Sequence, residues 1–253
     1  MSILKKINDQ NPLIGGWIVM DGLSNMDIMG NAGFDYLVID GQHGFASMDR
    51  IHQSLLTLSH RGIDILLRVP MIEDWYFQKI YDLGVSGIIV PNIKTVAEVK
   101  QVVQLSRYPP NGIRGISTSM IRATEYGNNK KYINTVNIDI IIQIETKEAV
   151  ENLDEILLIE GVSGFFIGPK DLAGSYGGLN KIQTKEFQDI VSKIEQKILQ
   201  KKKVLVGGTS VDQVNTFFQK GYKLLTIGSD AAILAHATSS MIKQIKQGET
   251  NVS

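Results

Sequence analysis

The sequence predicts an α/β protein, a single-domain (β/α)8 barrel over residues 1–253. Three observations carry that expectation. Eight short, β-branched apolar runs recur along the chain and read as buried parallel strands. Amphipathic helical stretches separate them, the βα alternation of a parallel sheet. A chain of 253 residues, 43% apolar and 21% charged, suits one large core. No GxGxxG follows the first run, which leaves an open dinucleotide-binding sheet without support.

The runs lie near Leu13–Val19, Tyr36–Asp40, Asp64–Val69, Gly87–Val90, Ile138–Glu145, Gly164–Gly168, Val204–Gly207 and Leu224–Gly228. Gly33, Gly84 and Gly161 each stand shortly before a run, as glycines just past a helix C-terminus do. After the fourth run, Thr95-Val-Ala-Glu98 is a capping box, and Val96, Val99 and Val103 follow on one helix face. The longest irregular stretch runs from about Tyr108 to Lys131; Pro109-Pro110-Asn-Gly112 opens it, and Arg114, Ser117, Ser119, Arg122 and Glu125 populate it. A loop this long inside a compact domain points to a lid or a subunit contact. Beyond the fifth run, a helix from Thr146 to Ile159 should bury Val150, Leu153 and Leu157. Lys201-Lys202-Lys203 reads as the solvated end of a helix. A last helix, Ala231–Lys246, carries Ile233, Leu234, Ile242 and Ile245, and would look for a neighbour to cover them.

Composition excludes several classes. A formal net charge of zero offers no general footprint for nucleic acid or an anionic membrane. The absence of cysteine removes disulfides and thiolate chemistry. Met1–Asn8 has charges but no apolar core of a signal peptide, and no run approaches the ~20 residues of a membrane span. A cytoplasmic protein is the expectation.

Chemistry concentrates where the runs stop. Glu145 closes Ile138-Asp-Ile-Ile-Ile-Gln-Ile-Glu145, and Asp171 follows Gly164-Phe-Phe-Ile-Gly-Pro-Lys170. An unpaired charge at the end of a buried strand is costly, and in parallel barrels that end is where active sites are built. Each acid alone could be an ion-pair partner or helix cap; together they suggest a hard divalent cation such as Mg²⁺, Mn²⁺ or Co²⁺. Arg68 ends the third run, where its fork could hold a carboxylate or a developing enolate oxygen, or else form a buried ion pair. His43, beside Gly41 and Gly44 after the second run, suits a general base, whereas His52, His60 and His236 fall in or near helices. The amides of Lys170 and Asp171 after Gly168-Pro169 could bind a carboxylate. Gly207-Gly208 and Gly228-Ser229 match where many barrels bind phosphate, although glycine pairs are common there for backbone reasons.

Taken in order, Gly33-Phe-Asp-Tyr-Leu-Val-Ile-Asp-Gly-Gln-His43, Arg107-Tyr-Pro-Pro-Asn-Gly-Ile-Arg-Gly115, Gln143-Ile-Glu-Thr146 and Glu160-Gly-Val-Ser-Gly-Phe-Phe-Ile-Gly-Pro-Lys-Asp-Leu172 resemble the HpcH/HpaI-type metal-dependent class II aldolases. The likeness runs from Gly16-Trp17 to the last strand. It implies a barrel that exchanges its last helix with a neighbour in a homohexamer. It implies Glu145 and Asp171 as metal ligands, and Arg68 as the group that polarises the oxo oxygen. His43 would be the acid/base, paired with an acid matching Asp82; since Asp82 precedes Gly84, either a neighbouring subunit supplies it or the pairing is indirect. Gln42, Gln143, Gly168, Pro169, Lys170, Asp171 and Ser117 would contact a 2-oxo acid substrate, pyruvate or oxaloacetate.

One departure bears on the substrate. The family usually reads Asp-x-Glu-His, whereas this chain has Asp40-Gly41-Gln42-His43. A neutral Gln42 should ease binding of a more anionic substrate. The resemblance therefore implies a divalent-metal-dependent carbon–carbon lyase acting on 4-hydroxy-2-oxo acids. Its alternative is the siderophore-pathway citrate synthase branch, which joins oxaloacetate to acetyl-CoA. A non-catalytic ligand-binding barrel is the third reading.

Overall fold

In the computed structural model, which describes residues 2–7 and 10–247, the eight runs are eight parallel strands closed into a barrel in sequence order. They are β1 (Leu13–Ile18), β2 (Tyr36–Asp40), β3 (Asp64–Arg68), β4 (Gly87–Val90), β5 (Asp139–Ile144), β6 (Gly164–Ile167), β7 (Val204–Gly208) and β8 (Tyr222–Ser229). The helices are α1 (Leu23–Asn31), α2 (Met48–Leu58), α3 (Asp74–Leu83), α4 (Val96–Ser106), α5 (Tyr132–Thr135), α6 (Lys147–Glu151), α7 (Leu153–Ile156), α8 (Pro169–Ser175), α9 (Lys185–Gln200), α10 (Val214–Gln219) and α11 (Asp230–Gln247). No helix among the described residues is long and apolar enough to cross a membrane.

Strand period sets what faces where. Val38, Leu66, Ile89, Ile141, Phe166 and Leu224 fill the barrel interior, while their neighbours Leu37, Leu67, Ile88, Ile142 and Phe165 pack outward under the helices. Two residues past that interior layer the same alternation turns Asp40, Arg68 and Gln143 inward at the C-terminal mouth, with Asp40 in register with Arg68. The opposite mouth is closed. Ile3, in a 3-10 turn over Ile3–Lys6, is fully buried within the interior cluster. Ser2 Oγ donates to Asp139 Oδ1 at 2.9 Å, and Lys6 pairs with Asp64 at 2.7 Å. That plug leaves the C-terminal mouth as the open end of the barrel interior among the described residues.

The capping box at Thr95–Glu98 is present with both reciprocal bonds. Gly84 and Gly161 have φ of 85° and 90°, the left-handed turn that ends a helix without a Cβ clash. Three expectations are corrected. The helix expected over Thr146–Ile159 is two, α6 and α7, broken at Asn152, whose Nδ2 donates to Lys94 O at 2.8 Å. Leu153 and Leu157 are buried, but Val150 only partly. Lys203 is not at a solvated end: its Nζ donates to Val162 O at 2.9 Å, and burial holds its pKa below the usual lysine value.

The stretch from Tyr108 to Lys131 is not a lid over its own barrel. It links α4 to β5 and so returns along the closed mouth. Gly115 N–H donates to Gln78 Oε1 at 2.9 Å, Arg114 pairs with Asp82 at 3.4 Å, and Arg122 donates to Leu83 O at 2.8 Å, all toward the C-terminal end of α3. Within it lies a 3-10 turn, Arg122–Gly127, with α5 just after. The last helix, α11, packs on β1 and β8 only near its start, and Leu234, Ile242 and Ile245 are between 52% and 63% exposed.

Candidate active site

Asp40 organises one half of the mouth. It ends β2, is buried, and accepts a two-pronged bond from Arg68 of the neighbouring strand, Nε to Oδ1 at 2.9 Å and Nη2 to Oδ2 at 2.6 Å. The amides of Gln42 and His43 also donate to Oδ1, at 3.0 and 3.2 Å, so one carboxylate orients the arginine and the loop that carries the histidine. Trp17 stacks under the guanidinium at 4.6 Å and is braced by Phe166, edge to face at 6.1 Å. The fork uses two of five guanidinium N–H groups; the remainder are free to meet a substrate. Arg68 is thus the buried ion pair the sequence allowed.

Burial alone would raise the pKa of Asp40, but the Arg68 fork and the two amides outweigh it and hold the carboxyl below its usual value. The native state then binds fewer protons than the unfolded chain in acid. The stabilisation is complete above the unfolded carboxyl value of about 3.9 and is lost as pH falls through the lower folded value. Asp40→Asn should therefore flatten the acid limb of stability below about pH 4, measured by urea denaturation across pH. An unchanged limb would detach Asp40 from this role.

Glu145 organises the other half. Just past β5 and 2% exposed, it accepts the Asn92 amide on Oε1 at 2.6 Å and the Gln143 side-chain amide on Oε2. Burial raises its pKa, and the charge of Asp171 adds to that, against the Asn92 amide, Arg68 and Gln143. Asp171 sits exposed in the first turn of α8, just past β6, so the two acids follow adjacent strands of the barrel. Gln143 Oε1 is buried without a hydrogen-bond partner. Two carboxylates with raised mutual repulsion fit an oxygen-preferring divalent cation, which would relieve both the repulsion and the desolvation of Glu145. Two carboxylates alone would leave such an ion positions for water and a chelating substrate; among the described residues no group of three or more His, Cys, Asp or Glu could hold a metal.

Gly168 is where this half tolerates no side chain. A Cβ there would lie 2.9 Å from both Gln143 Nε2 and Glu145 Oε2. Its φ of −96° is open to any residue, so the restriction is contact rather than backbone strain. Gly168→Ala should leave the barrel folded by circular dichroism yet weaken Mn²⁺ binding by about 10- to 100-fold in calorimetric titration. Wild-type affinity in that variant would separate Gly168 from the site.

The remaining sequence candidates divide by mouth. His43 is exposed at the C-terminal mouth, Gln42 is half-buried there with Oε1 unpartnered, and Pro169 and Lys170 open α8 beside Asp171. Asp82 is not brought to this mouth: it lies near the end of α3, held by Gln78 Nε2 at 2.9 and 3.0 Å and by Arg114. Ser117 is likewise on the closed side, two residues past Gly115, because a loop from helix to strand runs along that face. Neither reaches the site of its own chain. The glycine pair at Gly228-Ser229 is not an open phosphate seat either. The Asp230 carboxylate already accepts the amides of Val19, Met20 and Ala231 at 3.0, 3.2 and 2.8 Å.

The sequence places Asp40 and Asn92 among the polar groups that follow the strands but assigns neither a role of its own. Asp40 carried the same signal as Glu145, a carboxylate closing an apolar run. Asn92 carried none, because its contribution is a backbone amide.

A parallel barrel with two acids and an anchored arginine at its C-terminal mouth carries its polar groups where (β/α)8 enzymes build their active sites. Comparison makes the class specific: the chain belongs to the HpcH/HpaI aldolase/citrate lyase family, whose model matches residues 14–237. It is 31% identical over 247 residues to the hydroxypyruvate/pyruvate aldolase of Roseobacter denitrificans, covering 96% of each chain. It is also 31% identical over 238 residues to the 5-keto-4-deoxy-D-glucarate aldolase of Escherichia coli O6:H1, covering 92% of each. These homologues are aldolases, which make and break carbon–carbon bonds. Among solved structures, a family protein from Burkholderia cenocepacia J2315 superposes with a TM-score of 0.88 at 26% identity, over 94% of this chain and 96% of that one. The citrate synthase SbnG superposes at 0.81 with 24% identity, over 94% and 95%. The citrate lyase beta subunit from M. tuberculosis, solved with oxaloacetate and magnesium, shares the fold at 0.54 and 12% identity, over 88% and 94%.

Proposed function

We propose that the chain is a divalent-metal-dependent carbon–carbon lyase of the pyruvate type, forming or cleaving 4-hydroxy-2-oxo acids. The observation that carries this is a buried Glu145 just past β5 and Asp171 at the start of α8, on neighbouring strands, with an Arg68 locked on Asp40 at the same mouth. Mg²⁺, or Mn²⁺ or Co²⁺ in its place, held by Glu145 and Asp171, would supply Lewis-acid polarisation of the 2-oxo group. The amides of Lys170 and Asp171, at the start of α8 beside Gly168 and Pro169, hold the substrate carboxylate. Arg68 directs its free N–H groups at the oxo oxygen and stabilises the negative charge that develops there as the carbon–carbon bond breaks. Its fixed pose means little reorganisation accompanies that charge. His43 takes the proton from the 4-hydroxyl in cleavage and returns it in condensation, through a water. Gln143 and Gln42 complete the polar wall around the substrate.

Asp82 and Ser117 enter this scheme only if a second copy brings its closed-side surface to this mouth. The exposed apolar residues of α11 supply a reason for copies to associate, in a homohexamer with exchanged last helices. Light scattering tests the assembly; a monodisperse monomer at micromolar concentration would remove Asp82 and Ser117 from the site.

One observation favours a second reading. Gln42 is neutral where the family resemblance implies glutamate, and an uncharged wall suits a dicarboxylate such as oxaloacetate condensing with acetyl-CoA to citrate. A panel of oxo acids with and without acetyl-CoA, each in Mg²⁺, Mn²⁺ and Co²⁺, decides between them. Pyruvate release from 4-hydroxy-2-oxo acids supports the lyase; thiol release with oxaloacetate supports the condensing enzyme. Neither, with no oxo-acid binding by calorimetry, leaves a ligand-binding barrel.

A further inference from the structure

β4 ends at Val90, and Pro91 and Asn92 then turn the chain across the open mouth. Asn92 has φ 56°, in the left-handed region that glycine enters freely, asparagine less so, and branched residues hardly at all. Its amide is the one that meets Glu145 Oε1 at 2.6 Å. The next residues are tied to the segment beyond Glu145. Thr146 Oγ1 donates to Ile93 O at 2.8 Å, and Asn152 Nδ2 to Lys94 O at 2.8 Å. Three hydrogen bonds thus lace the end of β4 to the end of β5, and one lands on the carboxylate. The side chain of Asn92 itself is exposed. Residue type therefore matters at this position through the backbone conformation it tolerates.

We infer that Asn92 is a positioning residue for Glu145, its left-handed backbone aiming an amide at Oε1 so that the carboxylate is held from both oxygens. Gln143 alone secures Oε2 and would leave the group free to swing about that contact. With both donors in place the plane of the carboxylate is set, and one remaining lone-pair direction on each oxygen is available to a cation. The inference rests on reading Glu145 and Asp171 as cation ligands. The strain at Asn92 is sustained because the lacing over-determines it, as at other sites where local strain serves function.

The test is Mn²⁺ binding to the full chain without substrate, followed by calorimetry, for wild type, Asn92→Val, Asn92→Gly, Glu145→Ala and Lys202→Val. Lys202 is an exposed residue at the end of α9 with φ 55°, so its valine variant introduces the same backbone strain away from the site. Asn92→Val should bind Mn²⁺ about 10- to 100-fold more weakly, the usual cost of losing a group that orients a ligand. Asn92→Gly should stay within about threefold of wild type, because glycine adopts the left-handed conformation without a steric cost. Lys202→Val should match wild type. Wild-type affinity in Asn92→Val, equal weakening in Lys202→Val, or an Asn92→Gly as weak as the valine variant would each overturn the inference. If Asn92→Val fails to fold, Asn92→Ala takes its place under the same criteria. Should Glu145→Ala bind as tightly as wild type, or wild type not bind, the cation reading itself falls and takes the inference with it. Loss in Glu145→Ala with retention in Asn92→Val sinks the inference alone.

Discussion

Arg68→Lys is expected to lower kcat/KM for oxo-acid cleavage by about 10²- to 10³-fold while leaving Mn²⁺ affinity within about twofold. The substitution keeps the charge and removes the shape. Arg68 currently does two things with one planar group. It spends Nε and Nη2 on the two oxygens of Asp40, and it keeps other N–H groups for the mouth while resting on the face of Trp17. A lysine ammonium is one point of charge on a flexible stem. It can neutralise Asp40 or reach a substrate oxygen, but not both in fixed geometry. The effect should fall on kcat more than on KM, because charge on the oxo oxygen grows as the carbon–carbon bond breaks. Metal affinity should hold, since Glu145 keeps its Asn92 and Gln143 donors and Asp171 is untouched. An unchanged kcat/KM would make Arg68 a structural partner of Asp40 and nothing more.

The barrel was legible because its strands are buried on both faces and so read as unbroken apolar runs; all eight fall within a few residues of where the pattern places them. Glu145, Asp171 and Arg68 were legible for the converse reason, as charges that packing cannot explain. The closed-side loop could have been placed as well: a segment that leaves α4 and enters β5 must lie at the N-terminal mouth of a parallel barrel. Its length points to a lid or a subunit contact; that parity leaves the subunit contact, with Ser117 on the closed side. Asp40 is harder. Its partnership with Arg68 is a register relation between strands, Asp40 opposite Arg68, which spacing along the chain does not contain. The break at Asn152 and the role of Asn92 depend on bonds between the ends of β4 and β5, so helical periodicity ran through the one and nothing marked the other. Ile3 as the floor of the barrel had no local signal beyond being apolar.

Glu145→Gln should abolish the metal-dependent part of turnover and, without metal, leave the fold as stable as wild type or more so. Both halves follow from the same burial. In the native state the Glu145 carboxyl has its pKa raised, chiefly by desolvation and then by Asp171. Between the unfolded and the raised folded value the native state binds more protons than the unfolded chain, so stability falls as pH rises through that window. Above that window the metal-free carboxylate is therefore a liability, which a neutral amide of the same shape removes. The Asn92 amide can still donate to the glutamine carbonyl oxygen, but the side-chain nitrogen would face Gln143 Nε2 unless one amide turns over. Metal reverses the ranking. A saturating divalent ion should stabilise the wild type by about 2.7 kcal/mol at a hundred times its Kd and the variant by almost nothing. Thermal unfolding with and without Mn²⁺, beside an oxo-acid cleavage assay, reads both effects. A glutamine variant that gains the same stability from Mn²⁺ and keeps its turnover would place the ion elsewhere, and with it the chemistry assigned to this mouth.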